Sequence, residues 1–141
     1  MHDPNRNTLA AALLGASAGM RTVTPEAVLI LRGRMQVDPK VRQAVLIAAA
    51  AELVADKLPF VPSRTRALPY LGRVLSGAFC GLYVDGQTGA LTAAAAGAAT
   101  TTIGHQARKL PKTKKSAFFA ALLEDAFAIG VANLALVVAG D

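Results

Sequence analysis

A chain of 141 residues fits a single domain. Its make-up is 53% hydrophobic, 5% aromatic and 17% charged, with one cysteine (Cys80), which excludes a disordered chain, collagen and a disulfide scaffold. The net charge of +6 would suit nucleic acid, but so few aromatic residues build no stacking platform, and the cations fall in short clusters between apolar runs. These clusters are Arg32, Arg34, Lys40 and Arg42; Lys57, Arg64 and Arg66; and Arg108, Lys109, Lys112, Lys114 and Lys115. Such spacing is that of loops on a membrane surface, where cations meet anionic headgroups.

Five apolar stretches read as helices. The first, Thr8 to Leu31, is interrupted at Thr22-Val23-Thr24-Pro25-Glu26. Thr24 suits an N-cap, Pro25 the first helical position and Glu26 the positive end of the helix dipole, so the stretch breaks into two half-helices with Arg21 ending the first. The second runs from Ala44 to Val61, the third from Leu68 to Val84, the fourth from Thr88 to Arg108 and the fifth from Ser116 to Val138. Asp38-Pro39, the prolines 59, 62 and 69, Asp85-Gly86 and Leu110-Pro111 punctuate the loops.

Crossing a bilayer takes about 17–25 residues. The first, fourth and fifth stretches reach that length, while the second and third are marginal. Against a soluble alanine-rich bundle, no charged residue occurs from Leu91 to Ile103 or from Ala126 to Gly140, leaving no charged face for water. A cleavable signal peptide built on Arg6, Leu9–Leu14 and Ala16-Ser17-Ala18 is the weaker reading, because the apolar run is short. The expected fold is therefore all-α: a single polytopic transmembrane domain over 1–141 with about five membrane segments, the first broken. The cation count over five crossings favours a cytoplasmic N-terminus.

A weak internal match at an offset of 72 aligns Pro39-Lys40 with Pro111-Lys112, Arg42 with Lys114 and Glu52 with Glu124, which suggests an inverted repeat. Ionisable groups inside apolar spans mark pathways or ion pairs. The candidates are Arg21, Glu26, Glu52, Asp56, Arg73, His105, Glu124 and Asp125. Glu52 and Glu124 each lie roughly 12 Å along their helices, so in an antiparallel pair they would meet near mid-depth and could hold a proton or cation, with Arg21 as counter-charge. The plainer reading is that these acids pair with Arg21 or Arg73 and hold helices together. Asp56-Lys57 lies near a helix end, where Lys57 can reach the interface.

Gly15–Gly19 and Gly77–Gly81 each sit in a G-A-x-x-G pattern that lets helix backbones approach, within one chain or between copies of a dimer. Thr100-Thr101-Thr102 are expected to bond carbonyls one turn earlier. No zinc-ligand spacing, P-loop, CxxC or Ser-His-Asp arrangement is present, so neither a metal, a cofactor nor an enzymatic activity is expected, and His105 reads as interfacial.

G-A-S-A-G-M-R with T-P-E, E-L-V-A-D-K-L-P, P-Y-L-G-R-V-L-S-G-A and L-L-E-D together resemble a family of small bacterial integral membrane proteins catalogued as a domain of unknown function. The resemblance runs from about Gly15 to Asn133. It implies a multi-span helical protein of the inner membrane and draws attention to Arg21, Glu52, Asp56, Lys57, Arg73, Glu124 and Asp125, while implying no activity. Two functions follow as expectations. The leading one is a small oligomeric transporter or channel for a cation or small solute that uses the buried carboxylates; the alternative is a non-catalytic scaffold or assembly protein whose buried ion pairs lock helices.

Overall fold

The computed structural model describes residues 3–55, 57, 67–110 and 113–140. It is all-α, with helices α1 (Pro4–Met20), α2 (Thr24–Leu31), α3 (Pro39–Ala55), α4 (Ala67–Ala107) and α5 (Lys114–Ala139), and no strand among the described residues. Local signals fix the ends. Asp3 accepts the Asn5 N–H ahead of Pro4 (3.0 Å), and Asp38 accepts the Lys40 N–H ahead of Pro39 (2.8 Å). Thr113 and Ser116 form a reciprocal capping box at the start of α5, and Gly140 closes it in the left-handed region at φ 100°.

α4 is a helical hairpin rather than a rod. Asp85 (φ −140°, ψ 24°) and Gly86 (φ 61°, ψ −145°) leave helical geometry, the second in a region that glycine alone enters easily. The arms 67–84 and 87–107 then run back to back. A Cβ on Gly81 would overlap the Gly89 carbonyl and come within 2.6 Å of the Ala93 Cβ. α1 lies in the groove between the arms: a Cβ on Gly15 would overlap Ala93, and one on Gly77 would sit 3.2 Å from the Gly15 Cα. Contact this close needs glycine and alanine on every surface involved. Ala10, Ala11, Leu14, Ser17 and Ala18 of α1 are wholly or almost wholly buried.

Contacts set the directions. Thr8 meets Asp85 and Thr100 meets Ala16, so α1 runs parallel to the second arm of α4. Arg6 reaches the Val138 carbonyl, Ser17 that of Ala128 and Arg21 reaches Asp125, so α5 runs antiparallel to α1. α2 then doubles back. Glu26 meets Ser76, and the Arg34 carbonyl just past α2 accepts from Tyr83, so α2 climbs toward the end from which α1 came. Leu29 and Ile30 join Ala10, Leu14, Ala132, Ala135 and Leu136 in the core.

Several expectations are corrected here. The first stretch breaks as expected, with Arg21 closing α1 and α2 starting at Thr24, but α2 turns back instead of continuing the line of α1. α4 and α5 are long and apolar enough to cross a membrane, by length and composition; α1, α2 and α3 do not meet that test, so five membrane segments are not supported. Because α1 and α2 fold back, Arg6 lies at the same end of the bundle as Arg34 rather than opposite it, and the charge count behind a cytoplasmic N-terminus no longer stands. The inverted repeat finds no support either. Its two helices sit in unlike places, since α3 buries no residue whereas α5 contributes Ala121, Asp125, Ala128, Ala132, Ala135 and Leu136 to the interior.

Much of the outer surface is apolar. Leu91 is 75% exposed, Phe127 66% and Leu123 65%, on faces without charges to attract water. Exposed apolar area on this scale marks a surface that meets something other than water.

The tight hairpin yields a direct check. Gly81→Ala is expected to cost about 1–3 kcal/mol or more through overlap with Gly89 and Ala93, lowering the detergent melting temperature. Gly130→Ala, where an added Cβ meets nothing within 4 Å, is expected to be neutral or to stabilise by about 0.5–1 kcal/mol.

Candidate functional site: a buried polar junction at the α1–α2 turn

The turn from Gly19 to Thr24 ends one helix and starts another inside the bundle, so it strands carbonyls at the end of α1 and amides at the start of α2. Side chains from α3 and α4 answer them. Arg73 Nη1 donates to the carbonyls of Gly19 (2.9 Å) and Met20 (3.2 Å), and Arg73 is only 5% exposed. Thr101 Oγ1 lies 3.1 Å from the Gly19 carbonyl and Thr100 Oγ1 3.1 Å from that of Ala16. The Glu52 carboxylate, from α3, accepts the N–H of Thr22 at 2.6 Å and that of Val23 at 2.9 Å.

Glu52 therefore does the work expected of Thr24. The capping position of α2 is Val23, whose side chain makes no capping bond, and Thr24 already lies in the first turn. A carboxylate at a helix N-terminus gains from both the free amides and the dipole. Ser76 Oγ sits against the Thr22 carbonyl and 2.5 Å from Glu26 Oε1, joining the turn to the first arm of α4.

A second cluster adjoins the first. Arg21 is fully buried and grips Asp125 of α5, with Nε 2.5 Å from Oδ1 and Nη2 against the same oxygen. Lys57 Nζ takes the other carboxylate oxygen at 2.5 Å and also donates to the Leu53 carbonyl at 2.6 Å. Asp125 thus ties the end of α1 to the residue just beyond α3. Nearer the loop, Glu124 accepts from Arg108 Nε (2.9 Å) and Nη2 (2.7 Å), linking α5 to the end of α4.

Of the residues singled out from sequence, Arg21, Glu52, Arg73 and Asp125 converge on this one junction. Glu124 faces away to Arg108, so the two glutamates serve different partners, and Arg21 is engaged by Asp125. Asp56, Arg64, Arg66 and Lys112 lie outside the described residues. Gly15, Gly19, Gly77 and Gly81 form the close contacts of α1 and the α4 hairpin. Thr100, Thr101 and Thr102 bond carbonyls one turn earlier, at 3.0, 2.7 and 3.0 Å. The first two also reach α1, which their periodicity did not reveal. Ser76, Lys57 and Arg108 were missed as partners; two carry no distinctive spacing, and Lys57 read as a residue bound for the interface. Among the described residues no group of three His, Cys, Asp or Glu side chains could hold a metal ion, and His105 lies in the last turn of α4.

Removing one member of a buried ion pair leaves the other charge stranded. Arg21→Met and Asp125→Asn are each expected to destabilise the protein by about 3–5 kcal/mol, and the double variant by clearly less than the sum. Thermal unfolding in detergent measures the cycle. Strict additivity would show that the pair contributes nothing as a unit.

No protein-family model matches the sequence, and comparison with curated proteins and with solved structures returned no match, so the functional reading rests on the junction itself.

Proposed function

We propose that this chain is a multi-pass protein of the bacterial inner membrane that serves as a non-catalytic scaffold or assembly partner, its buried charges holding the architecture together. In this reading α1 and α2 form a re-entrant hairpin, the two arms of α4 and α5 cross the membrane, and α3, 17 residues long, runs along the outside of the bundle from one end to the other. In sequence, eight cations fall in the connections from α3 to α4 and from α4 to α5 (Lys57, Arg64, Arg66, Arg108, Lys109, Lys112, Lys114 and Lys115) against five from Arg6 to Arg42 outside the buried Arg21, so the end carrying those connections faces the cytoplasm. Homodimerisation would add apolar contact area through the unpacked face of α3, which buries no residue within the chain.

One observation carries the proposal: Arg21, Glu52, Arg73, Glu124 and Asp125 are each engaged with a helix end or an opposite charge. Charges used in this way fix register and turn geometry. The reading predicts that Glu52→Gln lowers thermal stability in detergent by about 1–3 kcal/mol, through weakened bonds to the Thr22 and Val23 amides. Glu52→Gln and Glu124→Gln together should change no ion flux in proteoliposomes. A cation or solute flux supported by the native protein and abolished in that double variant would overturn it.

A second reading, conduction of a cation or small solute, draws on a different residue. Glu26 Oε2 is buried and has no hydrogen-bond partner among the described residues, while Oε1 meets Ser76 at the start of α2. Broken helices in transporters offer such groups to an ion. Here Glu26→Gln would abolish flux, whereas the Glu52 and Glu124 substitutions would act only through stability.

A further inference from the structure

The outer seam between α4 and α5 combines shape with charge. A cavity of about 250 Å³ opens between the second arm of α4 and α5, floored by Met20 and walled by Ile103, Gly104, Leu123 and Phe127. Next to it, α5 alone lines an open trough of about 370 Å³, where Gly130 leaves a dip between Phe127 and Leu134. The two share Leu123 and Phe127, so together their linings make an adjoining apolar path along α5 from Ala120 to Leu134. At 1.5 Å per residue that path is roughly 21 Å long. A leaflet's hydrocarbon is about 15 Å deep, half of the ~30 Å core. The path is therefore long enough for one extended acyl chain together with its glycerol linkage.

Charge is confined to the loop end. Arg108 and Glu124 line the cavity there, the carboxylate neutralised by the guanidinium. Exposed Lys109, Lys114 and Lys115 flank the same end, and five cations occur between positions 108 and 115 in sequence. Beyond Glu124 the path is lined by apolar side chains. An apolar trough with cations at one mouth complements a molecule with a long hydrocarbon tail and an anionic head.

The geometry points to a seated anionic phospholipid in this seam, one acyl chain along Leu123, Phe127 and Leu134, and its phosphate among Lys109, Lys114 and Lys115. This rests on the membrane reading of the preceding subsection, and the test separates the two.

The native protein is first sedimented with membranes, then purified in a nonionic detergent, mixed with phosphatidylglycerol and phosphatidylcholine of matched chains, and examined by native mass spectrometry. Retention of phosphatidylglycerol at least about tenfold over phosphatidylcholine is expected. Lys109→Gln, Lys114→Gln and Lys115→Gln should each reduce retention by about fivefold, the scale of one lysine near an anionic headgroup. A Cβ added at Gly130 meets nothing within 4 Å, so Gly130→Leu is expected to fill the dip and reduce retention while leaving the fold intact. Equal retention of both lipids by a protein that pellets with membranes overturns the lipid site alone. Loss in the lysine variants with full retention in Gly130→Leu overturns it too, because the cations would then attract headgroups without seating a chain. A native protein that stays in the supernatant without detergent overturns both readings.

Discussion

The structure turns on the need to satisfy backbone groups where α1 ends and α2 begins. That reversal is largely shielded by the neighbouring helices, and a buried amide or carbonyl left unpaired there would cost several kcal/mol. Arg73 covers carbonyls, Glu52 covers amides, and Ser76 meets the carbonyl of Thr22. Each comes from a different turn of a neighbouring helix, so the reversal can exist only once those helices are in place. In this sense the charged residues are parts of the backbone's hydrogen-bonding system as much as they are charges.

The small residues make that arrangement reachable. Gly15, Gly77, Gly81, Gly89 and Ala93 bring α1 and the two arms of α4 into backbone contact. Only at that separation do the short hydroxyls of Thr100 and Thr101 span from one helix to the carbonyls of another. Larger side chains on α1 would move the α4 arms outward, and the threonines would be left with their own helix alone. Packing and polar satisfaction are therefore one constraint here, and the alanine-rich composition follows from it.

Much of the helical layout was legible in the sequence. Asp85-Gly86 marked a turn, and the helices placed over 68–84 and 88–108 match the arms of α4 within a residue or so. Charge-free runs identified α5 as a long apolar helix, and the glycine pairs marked the close contacts. Direction was not legible. Thr24-Pro25-Glu26 announces a helix start with equal force whether the chain continues onward or turns back, because capping signals describe a helix end and not the angle between two helices. Partner choice was equally hidden. Glu52 and Glu124 share an offset and a depth along their helices, yet one meets backbone amides and the other an arginine 16 positions away, a difference set by which helix lies alongside.

α3 has a consequence of its own. Its side chains are at most partly buried, with Val45 packed against the core, Glu52 bonded to the turn and Lys57 bridged to Asp125 just past its end. A segment attached in this way forms a separate cooperative unit, able to leave while the glycine-packed bundle of α1, α4 and α5 persists. Its departure would strip the start of α2 of its capping carboxylate and leave Asp125 with one cation fewer. The outermost helix therefore governs the exposure of the innermost turn, and local unfolding of one would be felt first at the other.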